Sequence, residues 1–129
     1  MKRDGFEYGA VVTTRDDVFV ASVPSGLTTP SLLFEALASA LRFPSYFGAN
    51  WHALFDCLGD LSWIEQHTVI LCHGDLPPLD PDDTKAYLDV LADAVSDWSA
   101  PDTHSLRVLF PMEVRDAVRF LLSRIEGRS

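Results

Sequence analysis

At 129 residues, 47% of them hydrophobic, the chain suits one compact domain with a modest core and is too apolar for a disordered polymer. No apolar run nears the ~20 residues that span a bilayer. The basic start at Lys2 and Arg3 leads into no apolar segment or cleavage site, so neither membrane association nor a signal peptide is expected. The net charge of −9 is concentrated in the middle, where Lys85 alone faces eleven acids between Phe43 and Leu106. Such a stretch repels phosphates and disfavours a nucleic-acid partner; it suits a basic protein, and it equally suits a plain solvated surface.

Taken in order, residues 9–14 ("GAVVTT") are a candidate first strand, with Arg15, Asp16 and Asp17 as its turn. Residues 17–24 ("DVFVASVP") form a β-branched and aromatic run closed by Pro24, a strand. A helix follows, with Thr29 as cap, Pro30 at its first position and Leu33, Leu37, Ala40 and Leu41 on one face; Pro44 stops it. Asn50 caps a short second helix that Gly59 can end, leaving Asp60 just beyond. Residues 68–72 ("TVILC") read as a strand covered on both faces. After a loop rich in proline and aspartate, a helix runs from Asp82 to about Trp98, with Tyr87, Leu88, Leu91, Ala94, Val95 and Trp98 as its apolar stripe. Residues 106–111 ("LRVLFP") make a third buried strand. A closing helix from Met112 carries Val114, Ala117, Val118, Leu121, Leu122 and Ile125 on one face. Strands joined through helices imply right-handed crossovers, and hence an α/β fold with a small three-stranded parallel sheet packed by helices.

The stretch "YFGANWHALFDCLGDL", residues 46–61, holds most of the chemistry. Trp51, Leu54, Phe55 and Leu58 share a helix face and read as the core side. His52 and Asp56, four apart, share another, as a base and its orienter would. Cys57 lies about 100° from the adjacent position and so off the face of His52, a poor place for a nucleophile. No serine elbow, phosphate loop or dinucleotide fingerprint accompanies them. Metal ligation through His52, Asp56, Cys72 and His73 lacks a spacing that makes the groups converge, and an adjacent Cys-His pair at a strand end reads as one core and one exposed residue. Cys57 and Cys72 read as a reduced pair of small buried residues in a cytoplasmic protein. A third reading is an interface: Asp89, Asp93 and Asp97 recur every four residues along the long helix as one acidic stripe, which a plain solvated face explains at least as well.

The same stretch resembles the helix-two motif of the barstar family, intracellular inhibitors of secreted bacterial ribonucleases. Tyr46, Phe47, Gly48, Asn50, Ala53, Leu54, Asp56, Cys57 and Leu58 match its gapless pattern, and the order of elements agrees. The resemblance covers residues 17–111, leaving 1–16 as an N-terminal extension and 112–129 as an added C-terminal helix in a single domain of 1–129. It implies no catalysis, no cofactor and no metal. The implied partner is a basic ribonuclease or related nuclease toxin, whose active site receives Asp56 where a substrate phosphate would sit. Tyr46, Asn50, Phe55, Gly59, Asp60 and Asp93 are implied as further contact positions. Two departures stand out: His52 replaces a family aspartate at the centre of the face, and Ala49 replaces an acidic residue. His52 removes one negative charge and, protonated, would repel an arginine-rich cleft.

Overall fold

The computed structural model describes residues 5–9, 15–45, 47–98 and 104–126, with residues 124–126 described by backbone only. In chain order the elements are β1 (Glu7–Tyr8), β2 (Val18–Val23), α1 (Pro30–Leu41), α2 (Trp51–Asp60), β3 (Thr68–His73), α3 (Pro81–Asp97), β4 (Ser105–Phe110), a 3-10 turn (Met112–Val114) and α4 (Arg115–Glu126). The sheet has the order β1-β4-β3-β2, and every neighbouring pair is parallel. The three expected strands are therefore joined by a fourth. It is the two-residue β1, which pairs Glu7 with Leu109 and Tyr8 with Phe110. This strand lies ahead of the 9–14 candidate, of which 10–14 fall outside the described residues. Two residues carry no alternation to read, and β1 exists only because β4 offers it a free edge. The Glu7 carboxylate seals that edge by accepting from Arg107 Nε (2.8 Å) and Nη2 (2.6 Å), and this bidentate pairing holds the Glu7 carboxyl below its ordinary range.

Register places Phe19, Ala21 and Val23 of β2 beside Val69, Leu71 and His73 of β3, and Leu106 and Val108 of β4 beside Val69 and Leu71. Because side chains alternate along a strand, these share one face. There the core forms, with Leu33, Phe34, Leu37 and Leu41 from α1, Leu54 and Leu58 from α2, Tyr87, Leu88 and Leu91 from α3, and Val118 and Leu122 from α4. α1 packs on β2, α3 on β4, and α2 and α4 each on α3. Burying each such leucine contributes about 1.5–3 kcal/mol. Ile70 and Leu109 point to the opposite face and are nonetheless buried, in keeping with the uninterrupted apolar run of the central strand.

α1 matches its sequence signals: Thr29 Oγ1 accepts from Leu32 N, Pro30 is the first residue, and Arg42 in the left-handed region ends it. α4 differs from expectation. Its first turn is 3-10, and Ala117 is exposed, so the apolar stripe narrows to Val118 and Leu122 with half-buried Val114 and Leu121; the Ile125 side chain lies outside the described residues.

Candidate functional site

α2 is short, and three devices hold it. Ala49, at φ 53°, turns the chain so that Asn50 (φ −145°, ψ 171°) meets the helix as its cap, with Asn50 Oδ1 accepting from Ala53 N at 2.8 Å. At the far end Leu61, also left-handed (φ 53°), donates its N–H to Cys57 O at 3.2 Å. A non-glycine residue in that region is disfavoured by roughly 1–2 kcal/mol, and complete burial of the Leu61 side chain outweighs it. Third, the α3 terminus reaches across: Trp98 Nε1–H donates to Leu58 O at 2.7 Å, within the last turns of α2, where carbonyls lack helical donors.

Gly59 is consequently no helix end. It and Asp60 belong to the last turn of α2, because the buried Leu61, and not the glycine, takes the left-handed cap. A Cβ on Gly59 would meet nothing within 4 Å. Gly59→Ala is therefore expected to stabilise the protein by about 0.5–1 kcal/mol, since glycine inside a helix costs that much relative to alanine. Urea denaturation of both proteins checks this; a destabilised variant would mean that the turn at Leu61 needs glycine's freedom two residues earlier.

The buried side of α2 is Leu54, Cys57 and Leu58, while Trp51 and Phe55 are half-buried. Phe55 thus sits at the border of the helix and is not a core residue, as its angle beside the buried Leu54 would have it. Trp51 wedges between Phe34 of α1 (ring centroids 4.8 Å apart) and Tyr87 of α3 (6.1 Å), pinning the start of α2.

Solvent meets Asn50, His52, Asp56, Gly59 and Asp60. His52 Nε2 lies 3.5 Å from Asp56 Oδ2, with side-chain exposures of 86% and 60%. Asp60 stands one turn beyond Asp56 on the same side. On α3, which packs against α2, Asp89, Asp93 and Asp97 are all exposed. Lys85, the base in this acidic stretch, is 3.8 Å from Asp82 and half-buried. Tyr46 lies outside the described residues.

Both cysteines are free thiols. Cys57 is buried, and burial first, then the charges of Asp56 and Asp60, push its thiol pKa up, so it stays protonated at neutral pH and is a poor nucleophile. At the end of β3 the expected split of Cys72 and His73 runs against their hydrophobicity. His73 is the buried residue, on the core face with Val69 and Leu71, and Cys72 is half-buried on the other. The His73 ring stacks on Phe110 (4.1 Å, 17°), donates through Nδ1–H to Leu109 O (3.0 Å) and accepts at Nε2 from Tyr87 O–H (2.6 Å). Among the described residues no group of three or more His, Cys, Asp or Glu could hold a metal ion, and no helix is long and apolar enough to cross a membrane.

Sequence reasoning missed Trp98 as the clamp on α2 and Tyr87 as the partner of His73. The signal was there: a packed tryptophan needs an acceptor for its indole N–H, and a buried tyrosine needs a partner for its hydroxyl.

A parallel sheet with helices packed on one face, and a short capped helix showing a carboxylate to solvent, define an α/β fold whose exposed chemistry is acidic. The family model described as "Barstar (barnase inhibitor)" matches residues 20–111. The chain belongs to the barstar family, an inhibitor family and not a catalytic one, whose partners are ribonucleases. β1 and α4 lie outside the matched residues. None of the curated proteins matches the chain.

Proposed function

We propose that this protein is an intracellular, stoichiometric inhibitor of a basic ribonuclease or related nuclease toxin, and that α2 blocks the enzyme's active site. The observation that carries the reading is Asp56: a largely exposed carboxylate on a helix capped at both ends and clamped by Trp51 and Trp98. A rigid carrier loses little entropy on docking, and a cleft made for phosphate welcomes an anion in its place. Asn50, His52, Phe55, Gly59 and Asp60 surround Asp56 on α2 or at its cap, and Asp93 extends the acid onto α3. The protein itself needs no cofactor and is expected to hydrolyse nothing.

The test is inhibition of RNA cleavage by a panel of basic bacterial ribonucleases, barnase among them, titrated with the protein. Activity of at least one enzyme should fall linearly to zero at one equivalent, and association should quicken at low salt because the acidic face steers a basic partner. His52, exposed beside Asp56 where the family has an aspartate, makes the face less suited to an arginine-rich nuclease cleft and so favours a second reading, in which the same face binds another basic protein that is not a nuclease. If no nuclease is inhibited at micromolar concentration and such a protein binds in a one-to-one complex, that second reading replaces the first.

A further inference from the structure

Beside α2 lies a groove of about 200 Å³, lined by Ser31, Phe34, Glu35, Ala38, Phe47 and Ala49. The four α1 residues fall at i, i+3, i+4 and i+7 and so form one wall; Phe47 and Ala49, from the segment entering α2, form the other. The space exists because Ser31, Ala38 and Ala49 are small, while Phe34 supplies an aromatic floor held edge-on by Phe47 (6.0 Å) and Trp51 (4.8 Å). Its volume falls below the roughly 300–1,000 Å³ of small-molecule sites and suits a single long side chain. One charge lines it, the carboxylate of exposed Glu35, and among the described residues no cation pairs with it. The groove is continuous with the α2 face, because Ala49 directly precedes the capping Asn50.

We infer that this groove receives an arginine side chain of the protein partner, its stem and guanidinium plane lying on half-buried Phe47 above the small exposed edge of the core residue Phe34, and its charge meeting Glu35. A planar cation that both stacks on aromatic faces and forks onto a carboxylate answers the two features of the groove at once, whereas a purely apolar residue would leave Glu35 desolvated and unpaired. The N-terminus of α1, near Ser31, opposes a cation, but it carries about half a charge, and Thr29 already satisfies one of its amides. The inference rests on the α2 face being the partner-binding face, and adds to it a second anchoring point away from Asp56.

The test uses Nα-acetyl-arginine amide as the probe in an amide-resolved NMR titration of the whole chain, with Nα-acetyl-norleucine amide as the uncharged control. Arginine amide should shift the amides of Phe34, Glu35, Ala38, Phe47 and Ala49, with a dissociation constant on the order of a few millimolar, as expected of so small a ligand. Glu35→Gln, an exposed change that leaves the fold intact, should weaken binding about threefold to tenfold. Ala38→Leu should fill the groove and abolish the shifts. Norleucine amide binding as well as arginine amide, or shifts unchanged in Glu35→Gln, would overturn the inference. So would shifts confined to residues 52, 56 and 60, an outcome that leaves the α2 reading standing. Conversely, a groove that binds arginine amide in a protein that inhibits no nuclease would remove the proposed function and keep the groove.

Discussion

Asp56→Ala is expected to weaken the complex with the inhibited nuclease by about 100-fold to several thousand-fold while leaving the stability of the free protein unchanged within ~0.5 kcal/mol. The two halves have separate causes. In the free protein the carboxylate is 60% exposed and its neighbour is His52 at 3.5 Å, itself in solvent, so little folding energy depends on it. In the complex the carboxylate would be desolvated among cations. Its loss would leave those cations buried without a counter-charge, an error worth about 3–5 kcal/mol. Asp60→Ala and Asp93→Ala, nearer the margin of the face, should cost less and act mainly on the association rate. Dissociation constants from stopped-flow association and dissociation rates, with urea denaturation of each free variant, separate the effects. An Asp56→Ala protein that inhibits as tightly as wild type would remove Asp56 from the centre of the interface.

Much of this site was legible in the sequence, because its signals are local. Thr29 and Pro30 start α1, and Asn50 starts α2, through hydrogen bonds that span three residues. The motif around Asp56 is gapless, so the helix face it defines needs no tertiary information. The end of α2 was not legible. Glycine is the usual terminator, and only the burial of Leu61 in the common core, a tertiary event, transfers that role past Gly59. β1 was hidden for a related reason: its pairing is with β4, about a hundred positions away, and two residues show no period. The groove beside α2 was hidden because Phe34 and Ala38 at helical spacing look like any core face. Its second wall is the segment at Phe47 and Ala49, where Ala49 takes a left-handed conformation that alanine does not announce. His73 was half legible. Strict alternation from Val69 and Leu71 puts it on the core face, but a run read only as apolar ends at Cys72 and leaves the histidine outside.

That buried histidine carries the largest expected effect on folding. Burial holds its pKa down at about 4, from an ordinary 6.5, despite the hydrogen bond to the Leu109 carbonyl, which acts the other way. Protonation also places an N–H at Nε2, where Tyr87 O–H now donates, so the charged ring loses its acceptor role to the hydroxyl 2.6 Å away. The unfolded chain therefore takes up a proton at a higher pH than the folded one. The contribution of His73 to stability should be constant above pH ~7, fall as pH drops through 6.5, and be smaller by roughly 3 kcal/mol at pH ~4. Glu7, whose carboxyl is held low by Arg107, loses its own contribution in the same direction but only toward the bottom of that range. Two substitutions separate the contributions. His73→Phe keeps the stacking on Phe110 but strands the Tyr87 hydroxyl and the Leu109 carbonyl, and should cost about 2–4 kcal/mol at neutral pH. Tyr87→Phe strands Nε2 alone and should cost about 1–2 kcal/mol. The double variant should be more stable than the sum of the two predicts by about 1 kcal/mol or more, because each removes the partner the other leaves unsatisfied. His73→Phe should also abolish the loss of stability between pH ~6.5 and ~5, where Glu7 stays charged. Urea denaturation of the four proteins across that range measures both quantities. Strict additivity together with an unchanged pH slope in His73→Phe would mean that the Tyr87–His73 hydrogen bond contributes nothing beneath α2.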